Sequence, residues 1–159
     1  MTNRTQAISA ADCQVSNLAT PVNSSGIIQA FINGLPIYRN GLSPQRRGLE
    51  VGMAHGYLLL GPFTLLGPLR NSDQFLLTGL LGTVGLVVIL TACLSLYAST
   101  NPALPLASVT VPKPPTDLNQ KGWGEFTSGF LIGGIGGAAF GYFLLANLPI
   151  LDNMPTFFH

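Results

Sequence analysis

The chain has 159 residues, 47% of them hydrophobic and only 8% charged, where a soluble domain carries about 25% charged residues. A soluble protein this poor in charge would lack the polar groups to cover its surface, and a formal net charge of +1 leaves no electrostatic footprint for nucleic acid. These values and a mean hydropathy of +0.44 predict an all-α integral membrane protein.

Residues 1–46 read as a polar N-terminal extension. No apolar stretch flanked by basic residues opens it, so no cleavable signal peptide is expected. Cys13 lies in this polar stretch and Cys93 in an apolar one, so a disulfide between them is not expected. Ile27 to Ile32 suggests a short amphipathic helix starting near Ser24 or Ser25 and stopped at Gly34-Leu35-Pro36. Three runs without a formal charge follow: Val51–Leu69, Phe75–Ala98 and Phe126–Leu151. A helix needs roughly 20 apolar residues to cross the hydrocarbon core, so three transmembrane helices are expected, over 47–69, 75–98 and 123–151. The first is the weakest, with Pro62 kinking it and Pro68 ending it. A tight polar turn occupies 70–74, a proline-rich loop 99–122 and a short tail 152–159. Phe63, Phe75, Tyr97, Trp123 and Phe126 near the ends fit interface positions.

Basic residues set the direction of insertion. Arg4, Arg39, Arg46, Arg47, Lys113 and Lys121 fall on one side of a three-span arrangement, and Arg70 alone on the other. The N-terminus and the second loop are therefore expected on the cytoplasmic or stromal side, and the C-terminus on the opposite face. Glycines are spaced for close helix approach: Gly48, Gly52 and Gly56 in the first span, Gly79, Gly82 and Gly85 in the second, Gly129, Gly133, Gly137 and Gly141 in the third. They predict either packing within the chain or contact with neighbouring subunits or flat rings.

Glu50 and His55 are the ionisable groups within or at the edge of a span, where such groups are costly and functional by default. Five residues at about 100° each leave roughly 140° between the two side chains, so two separate partners are expected rather than one shared metal. A neutral imidazole suits axial ligation of a metal in a macrocycle, and a carboxylate suits a hard ion such as magnesium. Gly52 and Gly56 would leave room for a flat ring. The plainer alternatives are a buried histidine bonded to a backbone carbonyl, and a carboxylate paired with Arg46 or Arg47. No nucleophile–base–acid set is present, so no enzyme activity is expected. A transporter or channel accessory subunit would need ionisable groups in the second and third spans, and a haem-binding membrane anchor usually needs a second intramembrane histidine; the sequence offers neither.

The stretch Leu35-Pro36-Ile37-Tyr38-Arg39, Gly41-Leu42-Ser43-Pro44 and Arg47 through Tyr57 resembles the subunit XI (subunit L) family of the photosystem I reaction centre. Gly61-Pro62, Leu66 to Arg70, Thr91 to Leu94, Gly122-Trp123, Phe126-Thr127, Gly129-Phe130 and Phe143 to Leu145 continue the likeness over roughly residues 17–152. The resemblance implies a non-catalytic, three-helix thylakoid subunit with a stromal N-terminal extension. Its expected cofactors are chlorophyll a, with Glu50 and His55 as magnesium ligands, and beta-carotene. Its expected partners are photosystem I core and small subunits, neighbouring photosystem I monomers and lipids. The chain departs from the family pattern at Asn71, where trimer-forming relatives often carry an acid at a calcium site. Asp73 remains as a weak calcium candidate. The long proline-rich loop and the tail also differ, which leaves trimer, dimer, tetramer and monomer open, along with an isoform used under altered light.

Overall fold

A computed structural model describes residues 20–148. Cys13, Arg4 and the tail 152–159 lie outside the described residues, as do the last residues of the expected third span. The described chain is all-helical: α1 Gly26–Gly34, α2 Pro44–Leu65, α3 Phe75–Ser99 and α4 Gln120–Asn147.

Local chemistry sets most of the helix starts. Ser25 caps α1 by accepting from the Ile28 N–H. Ser43 caps α2 by accepting from Arg46 N–H, with Pro44 at the first helical position, where its missing donor costs nothing. Asn119 caps α4 through Gly122 N–H at 3.0 Å. The α2 helix therefore begins three residues before the expected span of 47–69 and takes in Arg46 as well as Arg47 and Glu50. It passes Pro62 and stops at Leu65, ahead of Pro68, where the Leu66 N–H bonds to the Pro62 carbonyl.

Helices α3 and α4 are long and apolar enough to cross a membrane. At about 1.5 Å per residue, the 22 residues of α2 also suffice in length. Its charged first two turns keep it below the hydropathy of the other two. Outward-facing Leu58, Leu81, Val88, Ile89, Leu96 and Phe140 are all well exposed. An apolar outer surface of this extent suits contact with lipid or with another protein.

The α2–α4 pair is the most extensive contact in the bundle, and glycine makes it. A Cβ added at Gly48, Gly52 or Gly56 would fall on the α4 backbone at Phe126, Phe130 or Gly134. One added at Gly129, Gly133 or Gly137 would fall on the α2 backbone at Gln45, Leu49 or Met53. Residue numbers rise together along both helices, so they run parallel. Helix α3 runs antiparallel to both: Gly79 meets Thr64, Gly82 meets the Phe63 ring, and Val87 meets Gly134.

Two sequence-based expectations change here. Gly52 and Gly56 give no room to a ring, because α4 occupies that face. Phe126 is a core residue, 4% exposed and packed with Val87 and Phe130, and not an interface aromatic. Thr64, Thr83 and Thr127 are buried at different levels of the bundle, each hydroxyl donating to a carbonyl of its own helix at 2.8–2.9 Å. Such bonds let a polar side chain sit in the seam without an unpaired group.

The end of the bundle carrying the N-termini of α2 and α4 is closed by α1 and the loop before α4. Gln29 Nε2 donates to the Val109 carbonyl at 3.0 Å, and Asn33 Nδ2 to the Thr110 carbonyl at 2.8 Å. Leu118 and Val111 anchor the loop by burial.

Candidate functional site: two clefts on α2

Arg47 organises the site although it touches neither cleft. It is 4% exposed, and its Nη1 donates to the carbonyls of Pro36, Ile37 and Arg39 at 3.1, 2.9 and 2.8 Å. Its Nε stands 4.0 Å from Asp117 Oδ1, too far for a hydrogen bond; neither atom has a hydrogen-bond partner among the described residues. Arg47 therefore ties the segment before α2, and the loop before α4, to the first turn of α2. Its spacing suggests a pairing with Glu50, but its carbonyl partners lie eight to eleven residues away, beyond any local pattern.

Glu50 sits in the second turn of α2. Its Oε2 pairs with Arg39 Nη2, and its Oε1 lies 3.5 Å from Arg46 Nε. Arg46 was one expected partner and Arg39 was not. Glu50 lines a cleft of about 460 Å³ together with Pro36, Met53, Ala54, Tyr57, Gly136, Gly137 and Phe140. A Cβ at Gly136 would meet nothing within 4 Å, so this glycine leaves one wall of the cleft flat.

His55 is exposed on α2; of the plainer alternative, a buried histidine bonded to a backbone carbonyl, the carbonyl bond is present and the burial is not. Its Nδ1–H donates to the Val51 carbonyl at 2.8 Å. That bond places the proton on Nδ1 and leaves the Nε2 lone pair available, the state in which an imidazole ligates metal. The ring packs edge-on against Phe130, centroids 5.6 Å apart. His55 lines a second cleft, of about 470 Å³, among apolar and aromatic residues that include Leu90, Cys93, Leu94, Tyr97, Trp123 and Phe126. Tyr97 and Trp123 meet at right angles, 5.0 Å between ring centroids, at the cleft's edge.

The two clefts share no lining residue. The structure thus separates Glu50 and His55 onto different faces of α2, as the helical spacing requires. Asp73 stands far along the chain, exposed on the turn between α2 and α3. It borders a third cleft with Gln74, Tyr142 and Asn147. No cluster of three His, Cys, Asp or Glu side chains forms among the described residues.

A glycine-seamed helical bundle with an apolar exterior and two helices long and apolar enough to cross a membrane has the make-up of a helical membrane subunit. The family model for photosystem I reaction centre subunit XI matches residues 7–150, and the chain belongs to that family. It is 59% identical over 144 residues to the photosystem I reaction center subunit XI of Nostoc sp., covering 90% of this chain and 84% of that protein. The Synechococcus elongatus subunit is 60% identical over 142 residues, covering 87% and 85%. The subunit from Gracilaria tenuistipitata var. liui is 52% identical over 143 residues, covering 88% and 89%.

Proposed function

We propose that the chain is a non-catalytic, pigment-binding subunit of photosystem I in the thylakoid membrane, in which Glu50 and His55 each hold the magnesium of one chlorophyll. The single observation that carries this reading is the pair of separate clefts, each presenting one donor against a flat or aromatic wall. His55 fits the group because its Nδ1 is spent on Val51, which frees Nε2. Glu50 fits because a carboxylate has about four lone-pair sites and the two arginines need not consume them all. Chlorophyll, when bound, supplies light absorption and excitation transfer; the chain's part is to fix where each ring sits and how it faces its neighbours. The aromatic rim of the His55 cleft also suits a beta-carotene polyene lying alongside.

In the same reading α2 is a third crossing, with α1, Arg39, Arg46, Lys113 and Lys121 on the stromal face and Arg70 on the lumenal face. The apolar exterior is shared among lipids, photosystem I core and small subunits and, in oligomers, a neighbouring photosystem I monomer. Asp73 offers one carboxylate for calcium on the lumenal side, a weak site unless backbone carbonyls, water or a neighbouring subunit complete it.

Photosystem I isolated from a strain carrying His55→Leu tests the core of the proposal. The expected result is a complex that retains this subunit and lacks one chlorophyll, seen in pigment stoichiometry and as missing density beside residue 55. A full pigment complement at that cleft would remove His55 as a ligand.

A further inference from the structure

We infer that Arg39 is the positioning residue of the Glu50 cleft: it fixes the carboxylate for the ligand while its own segment supplies part of the cleft wall. The inference rests on the reading of Glu50 as a chlorophyll ligand.

Arg39 lies outside α2 but is fastened to it at both ends. Its carbonyl accepts from Arg47 Nη1 at 2.8 Å, and its guanidinium closes back onto Glu50 Oε2. Its own N–H donates to the Leu35 carbonyl at 2.8 Å, so the turn that begins there is internally closed. Pro36, in that same turn, lines the Glu50 cleft. The segment from Leu35 to Arg39 is therefore both wall and clamp.

The second arginine on Glu50 is of another kind. Arg46 is one helical turn away, 68% exposed, at 3.5 Å, and a solvated pair of this geometry constrains a carboxylate weakly. The Glu50 side chain is 25% exposed, and Arg39 is 42% exposed. Arg39 is thus the more shielded partner, and its guanidinium is held by a backbone that is itself pinned. A carboxylate ligand needs an outer partner to set its rotamer and to balance its charge near a low-dielectric phase; removing such partners typically weakens metal affinity about 10- to 100-fold. Lysine can replace the charge but not the planar fork.

Purified photosystem I from strains carrying Arg39→Gln, Arg39→Lys and Glu50→Ala, washed with increasing detergent, provides the test. Chlorophyll occupancy is read separately at the two clefts from density maps, and the lost band from difference absorption. In Arg39→Gln the Glu50 cleft is expected to empty at detergent levels that leave the unmodified complex full, while the His55 cleft stays occupied. Arg39→Lys is expected to fall between the two. Full occupancy and an unchanged absorption spectrum in Arg39→Gln, with the cleft empty in Glu50→Ala, would overturn the positioning role and leave Glu50 as ligand. Equal loss from both clefts in Arg39→Gln would also overturn it, since it would mark a purely structural residue. A cleft that stays full in Glu50→Ala would instead defeat the underlying reading of Glu50.

Discussion

Arg47 is the residue whose loss the fold should feel most. It satisfies three backbone carbonyls from a buried position, and Asp117 faces it. Replacing it with leucine leaves those carbonyls without a donor and Asp117 without its counter-charge. Leaving partly buried carbonyls without their donor costs about 1–3 kcal/mol, while Asp117, 41% exposed, is solvated and adds little. Arg47→Leu is expected to loosen the segment before α2, with faster trypsin cleavage after Arg39 in the isolated complex and a lower temperature of subunit loss. Arg46→Leu is the matched control, expected to change neither by much. From sequence, Glu50 and His55 could be singled out because a charge or imidazole at a span is conspicuous against apolar neighbours. Arg39 and Arg47 could not be assigned, because what they bind is backbone and carboxylate brought close only by the turn at residues 35–39.

At the scale of helices, the expected spans placed α3 within one residue of its observed ends, and both α2 and α4 begin three residues earlier than expected. The apolar run starts at Val51, whereas the cap chemistry of Ser43 and Pro44 starts the helix itself. That Ser-Pro pair was the signal available in the sequence. The glycine spacing was also readable, but not its partner: spacing shows that a face is smooth, and only the tertiary arrangement shows that another backbone lies on it. Gly133 and Gly136 separate the two uses of glycine on α4. Gly133→Ala would put a methyl group on the Leu49 carbonyl, and overpacking a seam costs about 1–3 kcal/mol. It is expected to lower the dissociation temperature of the subunit. Gly136→Ala meets nothing within 4 Å and gains up to about 1 kcal/mol in helix propensity. It is expected to preserve that temperature while altering the absorption of pigment in the Glu50 cleft.

For the whole molecule, the consequential prediction is direction. Among the described residues, Arg39, Arg46, Arg47, Lys113 and Lys121 gather at one end of the bundle and Arg70 sits at the other, the asymmetry expected when basic loops remain on the side of synthesis. In a chain with both native cysteines changed to serine, Ala107→Cys is expected to react with an impermeant maleimide added to the stromal face of sealed thylakoids. Asn71→Cys is expected to react only after the membranes are opened. Labelling of both from the stromal face would leave α2 short of a full crossing. If Glu50 and His55 hold pigments as proposed, the parallel seam between α2 and α4 also bears on how those pigments handle light. Main chain rests on main chain there, so few side-chain rotamers can shift one helix against the other. Two donors about 7.5 Å apart along such a helix, at 1.5 Å per residue, share one stiff ruler. Rings held by them would keep a fixed mutual angle, giving steady electronic coupling and narrow spread of transition energy from one complex to the next.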